Sequence, residues 1–301
     1  MQDVLGWDWC GNVRNRLDLC ENRMKRRRWM TPVLKWAGGK SQLLPAIQAM
    51  VPAGYGRYFE PFIGGASVLL TLAPKNAVIN DVNMQLINLY RQIKHSSGEI
   101  IDIINRLDAA DCNKEYYYLM RDKYNLKITN NILDAECAAL MIWLNKHCFN
   151  GLYRVNRKGL FNVPYNNKVR GKSIDEANIR AIGEYLNQAD VSINCMDFED
   201  ACSEVKPGDF VYFDSPYVPE SETADFTAYA QTGFGLSEHE RLARLFKRLD
   251  KMGARLMLSN NDVDLVRSLY KGYHLTHLDV KRMINCDASR RTGKEVIVTN
   301  Y

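Results

Sequence analysis

Apolar residues fall along this chain at two spacings, and the switches between them divide it into parts. Between Tyr58 and Leu69 an apolar run, a Gly64-Gly65 turn and a second apolar run predict a strand, a tight turn and the start of a helix. Asn76 to Asp81 predicts a second strand, ending on an acid. Ahead of both, Leu43, Leu44, Ile47 and Met50 recur at helical spacing. From Asn83 to Lys146 the pattern is helical. Tyr116, Tyr117, Tyr118 and Tyr124 read there as packing residues, and Ala138, Ala139, Ile142 and Trp143 as one buried face. Strands alternate with helices again after Val191. Val191–Cys195 leads to Asp197 and Phe198, and Asp209–Phe213 leads to Asp214, Ser215, Pro216 and Tyr217. A helix around Leu242, Leu245, Phe246 and Leu249 precedes a buried strand, Arg255–Asn260, and Glu295–Tyr301 closes the sheet.

This alternation predicts an α/β fold with a mostly parallel sheet, whose strand ends open into one crevice. Small residues at a strand end let the backbone approach a ligand, and an acid at the next strand end can accept hydrogen bonds from ribose hydroxyls. Gly64, Gly65 and Asp81 supply that combination, although the glycines do not form the dinucleotide pattern G-x-G-x-x-G. Upstream, Lys35-Trp36-Ala37-Gly38-Gly39-Lys40 is a loop of small residues bracketed by two lysines. At the carboxyl end of a later strand, Asp214-Ser215-Pro216-Tyr217 places a carboxylate, free carbonyls and an aromatic ring together.

Charge changes the picture locally rather than globally. The chain of 301 residues carries 40 basic and 35 acidic side chains, a net +5 that permits nucleic-acid binding without requiring it. Leu144 to Lys172, however, holds Lys146, Arg154, Arg157, Lys158, Lys168, Arg170 and Lys172 and no acid. Those cations are interleaved with asparagines and with Phe149, Tyr153, Phe161 and Tyr165. Such a segment can displace counterions at phosphates, bond base edges and wedge a ring into a base stack. Phe161 to Tyr165 reads as the return strand of a hairpin. The eight cysteines show no metal-binding spacing and read as buried thiols, and no metal site is expected. No apolar run is long enough to span a membrane. Residues 1–30, with the run Lys25-Arg26-Arg27-Arg28, read as a basic arm.

Taken together, Lys35 to Lys40, Phe59 to Val68, Asn150 to Arg154, Phe161 to Pro164 and Asp214 to Tyr217 resemble, in the same order, the motifs of the DNA adenine N6-methyltransferases of the Dam type. The resemblance runs from about Pro32 to Tyr301. It implies a Rossmann-like sheet of the S-adenosylmethionine-dependent methyltransferase type with an inserted, mainly helical DNA-recognition domain carrying a β-hairpin. On this reading residues 31–82 and 188–301 form the catalytic domain and 83–187 the recognition domain. S-adenosylmethionine is the implied cofactor. Its implied site comprises Trp36, Ala37, Gly38, Gly39, Lys40, Phe59, Glu60, Pro61, Phe62, Gly64, Gly65, Asp81, Asp197, Phe198 and Asp214, with Asp81 on the ribose and Asp197 and Phe198 on the adenine.

The implied catalytic residues are Asp214, Ser215, Pro216 and Tyr217, with Tyr217 stacking on an adenine flipped from double-stranded DNA and Phe226 and Tyr229 as further candidates to line its pocket. Ser215 departs from the family pattern Asp-Pro-Pro-Tyr, but the main-chain carbonyl expected to act there is retained. Phe149, Asn150, Leu152, Arg154, Asn156, Arg157, Lys158 and Pro164 are the implied DNA contacts. GATC is the first target the resemblance implies. Adenine methylation of relaxed specificity, as in some phage-borne relatives, and a catalytically impaired DNA-binding relative stay open. A monomer acting in the cytoplasm, on the nucleoid, completes the expectation.

Overall fold

The computed structural model describes residues 30–110, 112–168, 171–218, 234–281 and 292–301. The basic arm, apart from Met30, lies outside the described residues, as do Phe226, Tyr229 and Arg170. Helix α1 (Leu44–Met50) is followed by strand β1 (Tyr58–Glu60), helix α2 (Ser67–Leu72) and strand β2 (Asn76–Asn80). Four longer helices come next: α3 (Met84–Ala109), α4 (Lys114–Thr129), α5 (Ala135–His147) and α6 (Glu176–Gln188). The chain then returns to β3 (Asp190–Asn194), the short α7 (Phe198–Ala201), β4 (Phe210–Phe213), α8 (Leu236–Lys251), β5 (Arg255–Asn261), α9 (Asp264–Leu269), β6 (His274–Lys281) and β7 (Thr292–Thr299).

Among the described residues the sheet has seven strands in the order β3-β2-β1-β4-β5-β7-β6. The first five run parallel, while β7 is antiparallel to both β5 and β6. That is the α/β, mostly parallel sheet expected. Strand β6 has no counterpart in the sequence reading, because His274-Leu275-Thr276-His277-Leu278-Asp279 lacks a continuous apolar run. Chain order reverses at β1, with β2 and β3 to one side and β4 and β5 to the other. At such a switch point the loops that leave neighbouring strand ends diverge and open a crevice.

Burial explains the central strands. In β4 the side chains alternate between two cores, Phe210 and Tyr212 in one, Val211 and Phe213 in the other, and all four are buried. A parallel strand covered on both faces reads as a continuous apolar run, which is why Phe210–Phe213 stood out in the sequence. The helical stretch beginning at Asn83 resolves into α3, α4 and α5, because Asn113 and Asp134 cap new helices by accepting the Tyr116 and Cys137 amides. Those helices share the larger core with β1 and β2, since Trp143, Tyr117 and Tyr124 belong to the same cluster as Tyr58 and Ile79.

One buried side chain ties the α5 end to the N-terminal loop. Asn145 accepts the Lys35 amide at 2.9 Å and donates to the Lys35 carbonyl at 3.1 Å and the Gly151 carbonyl at 2.9 Å. Gly151 sits at φ +65, and a Cβ there would meet Lys35 Cδ at 2.8 Å, so a side chain would push the two segments apart. Replacing Asn145 with Ala leaves these backbone groups without their partner and is expected to destabilise the fold by about 1–3 kcal/mol, measurable by urea denaturation.

Candidate active site

The crevice at the switch point is built by the loops that follow β1, β2, β3, β4 and β5. Asp214, the residue after β4, is held from two sides. Lys40 Nζ lies 2.5 Å from its Oδ1, and the Ser259 hydroxyl donates to the same oxygen at 3.3 Å. Tyr212 OH and Ser259 Oγ are 2.8 Å apart, so with Ser259 donating to the carboxylate, Tyr212 donates to Ser259. Lys40 is itself buried, makes a second short bond to the Gly38 carbonyl, and lies 4.7 Å from the centre of the Tyr217 ring. Burial raises the Asp214 pKa above the ordinary carboxylate value, and Lys40 works against that rise.

A second acid stands behind the first. Glu60, at the end of β1, is buried and accepts the Tyr58 hydroxyl at 2.7 Å. Burial pushes its pKa well up, the Tyr58 bond opposes this, and the nearby Asp214 charge adds to it. The loop after β1 is fixed by Asn80, which was not singled out in the sequence. It donates to the Pro61 and Met196 carbonyls, both at 3.0 Å, and accepts the Met196 amide at 3.0 Å, so one buried amide joins the ends of β1, β2 and β3.

Asp81 accepts the Gly64 amide at 3.2 Å and the Asn83 amide at 2.9 Å. Burial raises its pKa, and those amides counter the rise. Gly64 has φ +47, and a Cβ there would lie 3.1 Å from Trp36 Cδ1, so the glycine lets the indole close over the turn. Across the crevice Asp197 caps α7, accepting the Glu199 amide at 2.9 Å, and is ion-paired with Arg241. The Arg241 guanidinium also lies 4.3 Å from the Phe198 ring centre. Phe62, Phe198 and Phe234 form an aromatic cluster with centroid spacings of 5.3 to 5.9 Å. Trp36, Lys40, Glu60, Asp81, Gly64 and Asp214 therefore gather on one side of the sheet's carboxyl edge, joined there by the Asp197–Phe198 turn. Ala37, Gly38 and Gly39 are exposed in the loop that carries Trp36, while Phe59 is buried in the sheet, packed in the core with the Arg57 guanidinium over its ring.

The motif loop after β4 is clamped by β5. Asn260 accepts the Val218 amide at 2.9 Å and its Nδ2 lies 3.4 Å from Ser215 Oγ, while Asn261 donates to the Val218 carbonyl at 2.6 Å. Ser215 is buried, Pro216 exposed and Tyr217 half-buried. The Tyr217 hydroxyl donates to Glu295 at 2.9 Å. Sequence reasoning missed Asn260, Asn261 and Glu295, because their partners are more than 40 positions away.

The basic segment separates its residues by face. Phe149, Asn150, Leu152, Arg154, Asn156, Arg157, Lys158 and Pro164 are all exposed, while Phe161 and Tyr165 are buried and serve as packing. The expected hairpin is present as two isolated antiparallel bridges, Cys148 with Tyr165 and Val155 with Phe161, closed by a turn in which Asn156 accepts the Lys158 and Leu160 amides. Arg154 is steadied by Asn162, which accepts its Nε at 2.8 Å. Tyr153 stacks on Trp36 with centroids 5.2 Å apart, so this segment touches the crevice loop directly.

These residues fit the expected methyl donor. The half-buried Asp81 carboxylate, the partly exposed edge of Trp36 and the glycine-lined backbone of Gly64, Gly65 and the exposed Ala37–Gly39 loop are the chemistry that a ribose and an amino-acid tail require, while Phe198 is buried beneath Arg241.

Comparison with known proteins bears on the same residues. Positions 36–284 match the model of the D12 class N6 adenine-specific DNA methyltransferases. The chain is 43% identical to the type II methyltransferase M1.LlaDCHI of Lactococcus lactis subsp. cremoris, over 90% of this chain and 96% of that protein. It is 39% identical to the type II methyltransferase M.MjaIII of Methanocaldococcus jannaschii, over 90% of this chain and 99% of that protein. With the DNA adenine methylase of Escherichia coli K12 it shares 31% identity over 89% of this chain and 94% of that protein.

His239, on α8, packs edge-on against Phe234 beneath the aromatic cluster, and burial pushes its pKa from 6.5 down to about 4. The unfolded chain takes up a proton there near pH 6.5, while the folded chain resists until about pH 4. Stability is therefore lost as pH falls through that window, by roughly 3 kcal/mol at about 1.4 kcal/mol per unit. Denaturation midpoints of wild type and His239→Phe, compared from pH 7 to 4, are expected to converge or cross as the wild type loses more.

Proposed function

This chain belongs to the D12 class N6 adenine-specific DNA methyltransferase family and is a DNA adenine methyltransferase, with S-adenosylmethionine as the cofactor that membership implies; on that premise we propose that it methylates the exocyclic amine of an adenine flipped out of duplex DNA, with GATC as its target. The observation that carries this reading is the Asp214 carboxylate, 2.5 Å from buried Lys40 and next to the Tyr217 ring, at the carboxyl end of β4.

An exocyclic adenine amine is a weak nucleophile because its lone pair is delocalised into the ring. Asp214 accepts one N–H and the Ser215 main-chain carbonyl the other, which draws the nitrogen toward tetrahedral geometry and frees the lone pair. When bound, S-adenosylmethionine supplies an electrophilic methyl group on a sulfonium. Trp36, Asp81, Asp197 and Phe198 hold that cofactor, with Asp81 toward its ribose. Lys40 keeps Asp214 oriented and ionised in the absence of base, and gives way as the amine takes the carboxylate oxygen. Tyr217 stacks on the extruded adenine and offsets part of the cost of unstacking it. No covalent intermediate with the protein is required.

Recognition belongs to the exposed face of the hairpin. Arg154 reads a base edge, Leu152 and Pro164 make apolar contacts, Asn150, Asn156, Arg157 and Lys158 contact bases or phosphates, and Phe149, which is 52% exposed, enters the stack. In this assignment residues 31–82 and 188–301 carry catalysis and 83–187 recognition, and the enzyme acts as a monomer in the cytoplasm. No helix among the described residues is long and apolar enough to cross a membrane.

Three measurements test the reading. Labelled-methyl transfer to unmethylated plasmid is expected from wild type and is expected to fall by about a hundredfold to a thousandfold in Asp214→Ala, the scale on which losing a transition-state contact acts; no incorporation by wild type refutes catalysis. On duplexes with and without GATC, methylation is expected only on the former, and equal incorporation on both establishes relaxed specificity instead. Arg154→Ala is expected to cost about 1–3 kcal/mol of discrimination at one base pair. A uniform loss on every sequence would mark Arg154 as a phosphate contact.

A further inference from the structure

Tyr217 is held at four points, a side-chain bond to Ser259 among them, and one of the four comes from a strand that none of the recognised motifs includes. Its backbone is fixed through Val218, whose amide Asn260 accepts and whose carbonyl Asn261 bonds. Lys40 lies 4.7 Å from the ring centre. The hydroxyl donates to Glu295 Oε2 at 2.9 Å. Glu295 stands on β7 directly opposite Asn261 in the antiparallel register, so the carboxylate is anchored to the same strand pair that clamps the motif loop.

A half-buried tyrosine whose hydroxyl is free can turn about its χ angles, and each turn tilts the face on which a base would stack. Freezing that rotation before the base arrives removes an ordering cost from the complex. We propose that Glu295 is a positioning residue that fixes the plane of the Tyr217 ring for the flipped adenine, acting through the phenolic hydroxyl and touching neither base nor cofactor. The proposal rests on the reading of Tyr217 as the stacking residue. A carboxylate is the stronger acceptor for a phenol, and the antiparallel strand holds it at a set distance.

The test is a double-mutant cycle on the full chain with unmethylated plasmid DNA and labelled S-adenosylmethionine. Glu295→Ala and Tyr217→Phe are each expected to lower kcat about tenfold, the scale of one hydrogen bond, with the KM for S-adenosylmethionine unchanged. The double variant is expected to be no slower than either single one. Glu295→Gln keeps an acceptor oxygen and is expected to remain within about threefold of wild type. Additive losses, a wild-type Glu295→Ala, or a loss confined to the KM for S-adenosylmethionine would each overturn the proposal. If Glu295→Ala fails to fold by circular dichroism, Tyr217→Phe and Glu295→Gln carry the test, and a wild-type Tyr217→Phe overturns it. Tyr217→Ala separates the two readings: wild-type turnover there refutes stacking itself, whereas a large loss beside a wild-type Glu295→Ala refutes only the role of Glu295.

Discussion

Lys40 is almost fully buried, and the 2.5 Å contact between its ammonium and Asp214 constrains most of what surrounds it. Taking an ammonium and a carboxylate out of water costs several kcal/mol per ion, and mutual attraction repays this only when the remaining hydrogen-bonding capacity is met. The surroundings meet it. The Gly38 carbonyl takes a second ammonium proton, Ser259 bonds the Asp214 oxygen, and the Tyr217 ring lies against the cation. The loop from Lys35 to Lys40 must therefore fold back onto the ends of β1 and β4. Glu60 sharpens the constraint, because two acids within one low-dielectric site cannot both ionise cheaply beside a single lysine. Tyr58 donates to Glu60, so that Lys40 can serve Asp214.

The same loop is in direct contact with the basic segment. Trp36 closes over Gly64 on one side and stacks on Tyr153 on the other, and Asn145 clips Lys35 to Gly151. Tyr153 and Gly151 lie between residues whose side chains face outward: Asn150, Leu152 and Arg154. The hairpin and the indole are thus joined through packed atoms within two residues of Lys35. Tyr153 is also tied to Tyr124 on α4, at 3.3 Å between hydroxyls, which anchors the contact in the shared core.

Much of this was legible because it is local. The apolar strands, the glycine turn after β1, Asp81, the Asp-Ser-Pro-Tyr run and the acid-free basic stretch are signals carried by neighbours in sequence. The outward face of that stretch was legible only in part, since Arg154, Asn156, Arg157 and Lys158 emerged exposed but so did apolar Phe149, Leu152 and Val155, while Asn145 and His147 are buried. What escaped is long-range pairing. Asn80, Asn145 and Asn260 each satisfy backbone groups from distant segments, yet in sequence an asparagine beside a strand or helix end reads as a turn or cap residue. Helix α6 was passed over between the basic segment and β3, and β6 lacks an apolar run because one face is solvated. Asp197 shows the opposite limit. Its sequence position fits both a cofactor contact and a cap, and in the fold it caps α7 and pairs with Arg241, so any further contact must share the carboxylate.

Ser215 illustrates how a departure from a motif can be compensated by a residue outside it. A proline at that position would narrow the backbone of the loop sterically, and its absence gives the unfolded chain back conformational freedom worth about 0.4–1 kcal/mol. Asn260 acts on the same loop by hydrogen bonding. Its Oδ1 takes the Val218 amide at 2.9 Å and its Nδ2 approaches the Ser215 hydroxyl at 3.4 Å, within a buried site where each net bond contributes about 0.5–1.5 kcal/mol. The two magnitudes match, so the loop can hold its shape with serine. Pro216 still restricts Ser215 toward extended geometry. Rigidity that a ring would supply locally is supplied here by β5, the strand whose Ser259 also bonds Asp214, so that the carboxylate and the loop that follows it are held by one element.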